Sequence, residues 1–113
     1  MDEAVQIQYV NLAKNPGAYK NKKVVFTGKV IQIIEHGNNI TFKVNVDKSI
    51  DGVWKNAIVV NYRNANKKSH LLENEMITFW GTVKGLKTYQ SSGKQVTIPE
   101  VYAKYITIMW NEK

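Results

Sequence analysis

Cysteine is absent from this 113-residue chain. Disulfides, thiolate metal sites and cysteine nucleophiles are thereby excluded. Arginine is almost absent as well: Arg63 is the only one. The planar fork that grips phosphate or a guanine edge bidentately is therefore available at one position, and lysine must supply the remaining positive charge. No run is long and apolar enough to span a bilayer, so no transmembrane segment is expected. The opening Met1-Asp2-Glu3-Ala4 lacks the basic and apolar regions of a signal peptide. As it stands the chain reads as cytoplasmic; it would be extracytoplasmic if an export signal had been removed ahead of Met1.

Catalytic and metal-binding groups are equally sparse. The two histidines, His36 and His70, stand beside turns or loops and have no H-x-x-x-H partner. Glu35 next to His36, and Glu73 near Glu75, read as turn and loop charges rather than as carboxylates flanking a cleft. Gly81 and Gly85 have the wrong spacing for a phosphate-cradling loop. The expectation is a non-enzymatic protein with no metal and no cofactor.

What the chain does have is positive charge and β-forming sequence. Sixteen Lys and Arg face nine Asp and Glu, for a formal net charge of +7. Such a balance attracts polyanions such as nucleic acid, anionic lipid or cell-wall polymer, and it is equally compatible with a solvated lysine-rich surface. Hydrophobic residues make up 43%, enough for one core in one domain spanning 1–113.

An amphipathic stretch over about 5–14, with Ile7, Val10 and Leu12 near helical spacing, predicts a short N-terminal helix ended by Asn15-Pro16-Gly17. The barrel is expected over about 23–109. Val24–Ile34 is β-rich but too long for a flat strand, and Gly28 in its middle marks a bend. His36-Gly37-Asn38-Asn39 is a turn. Ile40–Val46 alternates cleanly, with Ile40, Phe42, Val44 and Val46 on one side and Thr41, Lys43 and Asn45 on the other. Ala57–Arg63 is the third strand, Met76–Leu86 the fourth with Gly81 inside it, and Val96–Met109 the fifth, with Pro99 at a bulge or edge. Ser69-His70-Leu71-Leu72-Glu73 suits a helical turn between strands three and four. The fold class is all-β: a five-stranded, partly open Greek-key barrel, with an SH3-like barrel as the rival. Phe26, Val30, Phe42, Val44, Ile58, Val60, Phe79 and Val83 are the expected core, joined by Tyr105.

The run from Leu12 to Val30, with Asn15-Pro16, Tyr19-Lys20, Lys22, Val24, Phe26, Gly28 and Val30 in order, resembles the opening of a group of small OB-fold domains from low-GC Gram-positive bacteria. Gly81-Thr82, Gly85-Leu86, Ile98-Pro99 and Ala103-Lys104-Tyr105-Ile106 are similar to that group's last two strands. The resemblance covers roughly residues 8–106. It implies the OB barrel, kinship with anticodon-binding-like nucleic-acid modules, and frequent occurrence in exported proteins or lipoproteins.

OB barrels bind ligands on strands two and three, between the loops joining strands one and two and strands four and five. Single-stranded nucleic acid needs cations for phosphate and flat rings for bases. Lys43 and Asn45 on strand two, Asn61 and Arg63 on strand three, and Lys87, Tyr89 and Lys94 toward the last loop meet those needs, with Trp54 ahead of strand three as a second ring. Trp80, on the polar side of strand four, either covers the N-terminal helix or stacks on ligand. The expected function is single-stranded nucleic-acid binding. The alternative is an exported accessory domain that binds protein, carbohydrate or an anionic cell-wall polymer through the same face.

Overall fold

The computed structural model describes residues 4–63 and 71–111. Two short helices, α1 (Tyr9–Lys14) and α2 (Pro16–Tyr19), precede five strands: β1 (Lys23–His36), β2 (Asn39–Lys48), β3 (Trp54–Arg63), β4 (Glu75–Ser91) and β5 (Lys94–Asn111). The strands form a barrel in the order β1-β2-β3-β5-β4. All pairings are antiparallel except β3 with β5, which run parallel over Val59–Tyr62 and Glu100–Ala103. This is the Greek-key order of an OB barrel, not that of the SH3-like rival. The barrel is closed rather than partly open, because the β3–β5 ladder joins its two halves.

Closure depends on two corners. β1 pairs with β4 over Lys23–Lys29 and with β2 over Lys29–His36, so it changes partner in its middle. At that point the β2 backbone crosses over Gly28. A Cβ there would fall well inside contact distance of the Asn45 carbonyl oxygen and 2.7 Å from Val44 Cγ1. Gly81 is the counterpart on β4: a Cβ would overlap the Tyr102 carbonyl oxygen and lie 2.7 Å from Val101 Cγ1. The β4–β5 register shifts at Trp80/Gly81, as a strand turning a barrel corner requires. Pro99 pairs with Leu86 just past a further β4 irregularity at Val83/Gly85 and one residue before the parallel ladder. Its missing N–H is tolerated at such a junction.

The expected core is present: Phe26, Val30, Phe42, Val44, Ile58, Val60, Phe79 and Val83 are all buried, and Leu12 of α1 is buried with them. The Phe26 and Phe79 rings stack with centroids 5.8 Å apart. Tyr105 is a correction. It is 45% exposed, because the shift at Trp80/Gly81 pairs Tyr105 with Trp80 and leaves Ile106 opposite Phe79.

The N-terminus differs from expectation too. The helix begins at Tyr9 rather than near residue 5, and a second helical turn follows Pro16. Val5 bridges Val24 in parallel, and each strand donates one N–H to the other at 3.1 Å. The first half of β1 has β4 on one side only, and Val5 satisfies part of the opposite edge. The helical turn expected at Ser69–Glu73 falls in part outside the described residues; Leu71 and Leu72 are irregular, and Glu73–Asn74 form a turn.

Two stability measurements test this construction. Gly28→Ala should lower stability by about 1–3 kcal/mol or more, since backbone cannot yield as a side chain can. Gly17→Ala, with open space around the new methyl and a helical setting, should be neutral or stabilising by about 0.4–1 kcal/mol. Equal effects in urea unfolding would refute the corner argument. Phe42→Ala should cost about 3–5 kcal/mol; a surface-like loss would mean that the faces of β2 are reversed.

Candidate functional site

The strand pairings place one residue from each of several strands on a common outer face. Lys43 lies between Gln32 of β1 and Val59 of β3, and Thr41 lies between Ile34 and Asn61. Val59 and Asn61 stand beside Glu100 and Tyr102 of β5. These positions alternate with the core residues Phe42, Val60 and Val101, so all of them point outward. Val59 is nonetheless buried, which gives the face an apolar floor.

The β4–β5 hairpin turns this face into a groove. It continues roughly 20 Å past Gly85, pairing Leu86 with Pro99 through Ser91 with Lys94. Ser92 and Gly93 close it with φ of 52° and 79°, the two positive values of a tight hairpin turn. The arm is latched to β2 by the Lys43 ammonium, which sits 3.8 Å from the centre of the Tyr89 ring. Beneath the arm lies a hollow of about 370 Å³, whose wall includes Ile34, His36, Lys43, Val59, Lys87 and Tyr89. A second hollow of about 500 Å³ is lined by Asn61, Arg63 and Tyr102 among others. Both are bordered by His36 and Thr41, so they are neighbours on one face and together make up a track.

A line of polar contacts crosses the track and touches every strand. His36 Nε2 and Thr41 Oγ1 are 3.0 Å apart. The Thr41 hydroxyl donates to Asn61 Oδ1 at 2.9 Å, and Asn61 Nδ2 donates to Glu100 Oε2 at 2.8 Å. Lys87 completes the line with its ammonium 3.7 Å from the same carboxylate oxygen. Thr41 has a single hydroxyl hydrogen, already given to Asn61, so the imidazole Nε2–H must donate to Thr41. Every bond therefore points toward Glu100. Turning the Asn61 amide over would set its oxygen against the carboxylate, so its orientation is fixed.

The structure brings Lys43, Asn61, Arg63, Lys87 and Tyr89 to the track, and it sets Lys94 opposite Ser91 on the rim. Asn45 is on the same face, two residues farther along β2, beside Ala57. Trp54 is set apart. It is part of β3 rather than a loop, five residues before Val59, roughly 16 Å along the strand, and the Lys48 ammonium lies 5.6 Å from its ring. Tyr89 likewise lies in a strand, not a loop. Trp80 is half-buried on the β1–β4–β5 side, in a hollow with Ala4, Lys23 and Tyr105. Sequence reasoning missed Glu100 and Tyr102. Taking Val101 as inward-facing would have turned both outward, but Pro99 obscures the alternation there. Among the described residues, no three His, Asp or Glu gather as metal ligands; His70 lies outside them.

The chain matches no family model, and no curated protein matches it. Solved structures do match in fold. A small single-stranded DNA-binding protein from Streptomyces coelicolor superposes with a TM-score of 0.57 at 16% identity, covering 79% of this chain and 94% of that one. The mitochondrial single-stranded DNA-binding protein Rim1 from S. cerevisiae gives 0.59 at 14% identity, over 83% of this chain and 100% of that one. An aspartyl-tRNA synthetase from Entamoeba histolytica gives 0.68 at 13% identity, over 97% of this chain but only 22% of the synthetase. At such identities the likeness is one of fold. Nothing in these matches supports the low-GC Gram-positive or exported placement implied by the sequence resemblance.

The latch can be measured. A double-mutant cycle of Lys43→Ala and Tyr89→Leu should yield a coupling of about 0.5–1 kcal/mol, the value of an exposed cation–π pair. Strict additivity of the two changes would show that the hairpin arm is not held by this contact.

Proposed function

We propose that this chain is a non-enzymatic module that binds single-stranded nucleic acid along the track between the β1–β2 and β4–β5 hairpins. The observation that carries the reading is the composition of that track. Cations stand at Lys43, Arg63 and Lys87, with Lys94 on the rim, while Tyr89 and Tyr102 offer rings and Val59 an apolar floor. Phosphate needs the first and bases need the others. The net charge of +7 favours a polyanion at longer range. Two of the proteins sharing the fold are described as single-stranded DNA-binding, which is support by analogy of fold.

In this reading Lys43, Arg63 and Lys94 contact phosphate, Lys87 borders the bases while paired with Glu100, Tyr89 stacks on a base, and Asn45 and Asn61 face base edges. Trp54 is reached only by a strand that continues down β3.

The test is an NMR titration with a short oligonucleotide at two salt concentrations, and a parallel titration with an oligosaccharide. Shifts should centre on β2, β3 and the β4–β5 arm, and affinity should fall steeply with salt as counterions are released. Tyr89→Ala should weaken binding at high salt by about 1–3 kcal/mol per stacked base, whereas Lys94→Glu, outside the Lys43–Tyr89 latch, should act chiefly at low salt. Silence of β2 and β3 at millimolar oligonucleotide would end the proposal. Shifts with oligosaccharide alone would transfer the face to the accessory-domain reading.

A further inference from the structure

Beside the track stands one group that a general phosphate-binding surface has no use for. Glu100 lines neither hollow itself, but it is bonded to a residue of each: Lys87 lines one and Asn61 the other. Its side chain is 19% exposed. Both of its contacts, with Asn61 and with Lys87, are made by Oε2. Among the described residues no hydrogen bond to Oε1 is seen, and no buried side-chain polar atom is left unsatisfied, so Oε1 is not sealed away from solvent. The Asn61 hydrogen bond, itself oriented through Thr41 and His36, anchors Oε2 and leaves the other oxygen as the one available to a ligand.

A carboxylate is an acceptor only. Its negative charge repels phosphate at short range, so the backbone of a bound strand must follow the cations Lys43, Arg63 and Lys94, with base edges turned toward Glu100. Those edges differ. Cytosine, adenine and guanine each carry an exocyclic amino group able to donate to Oε1, as cytosine N4 donates to Glu in base readout. Thymine and uracil carry keto oxygens on both sides of their one ring N–H, and these meet the carboxylate with like partial charge.

We infer that Glu100 is a specificity-determining residue of the track, accepting a hydrogen bond from the exocyclic amino group of a bound base and thereby disfavouring thymine and uracil. This inference rests on the binding reading above. It adds to that reading a preference at one base position. It also changes the role of Asn61, whose oxygen is taken by Thr41: the amide positions the carboxylate rather than reading a base bidentately.

The experiment compares homo-oligomers of dC, dA and dT, each about eight nucleotides long to suit one OB barrel, by fluorescence anisotropy with the full chain at pH 7.5 and one fixed salt concentration. The expected result is that dC and dA bind at least about tenfold more tightly than dT, within the range of one discriminating base contact. Glu100→Gln retains an acceptor for Asn61 and adds a donor for keto oxygens. It should strengthen dT binding and shrink the ratio to below about threefold. A purely structural role for Glu100 would change the melting temperature and leave that ratio as it was. If dC, dA and dT bind equally to the unmodified chain, this inference fails while the binding reading stands. If none of them binds, both fall. The comparison on the unmodified chain decides the matter even if the variant does not fold.

Discussion

The whole architecture rests on two places where one strand's backbone passes directly over another. A five-stranded sheet this small closes only if its long strands turn corners, and at a corner the crossing strand takes the space a Cβ would fill. Gly28 and Gly81 vacate that space for the carbonyls of Asn45 and Tyr102. With Gly28 in place, β1 can leave β4 and join β2. With Gly81 in place, β4 can follow β5 past its register shift and extend into the long hairpin arm. The parallel β3–β5 ladder, the covered core and the groove under the arm all follow from these two crossings.

The same geometry determines the chemistry of the outer face. Because β3 and β5 are neighbours, Asn61 meets Glu100, and because β4 returns beside β5, Lys87 meets it from the other side. A hydroxyl on β2 and an imidazole at the end of β1 extend the line. Exposed ion pairs contribute little stability by themselves, so the effect of this line is chiefly orientational. It gives each polar group one direction in a surface that is otherwise open to water.

Much of the barrel was legible in the sequence because period-two alternation is strong where one face is buried. Ile40–Val46 shows this, and the glycines inside two long β-rich runs announced the corners. What was not legible came from partners distant in sequence. Val5 is extended because β1 has a bare edge, and nothing in residues 5–8 reveals that edge. Trp54 and Tyr89 looked like loop residues because their flanking segments are polar, yet strand pairing carries both into the sheet. Glu100 was passed over because its role depends on Asn61 and Lys87 reaching it from two other strands. Tyr105 was placed inside because a bulge reverses the alternation of β5 and leaves no mark in composition.

The pairing of Lys23 with Thr82 and of Val59 with Glu100 bears on how the chain acquires its structure. The three hairpins can each form early, since hairpin formation takes only microseconds. The seams that close the barrel join segments separated by much of the sequence, and neither can form until a long loop has been ordered. Topologies dominated by such distant pairings fold in milliseconds to seconds. During that interval the free edges of β1 and β3 are exposed to other chains as well as to their own partners, so nascent molecules are most vulnerable to mispairing before the last seam is made.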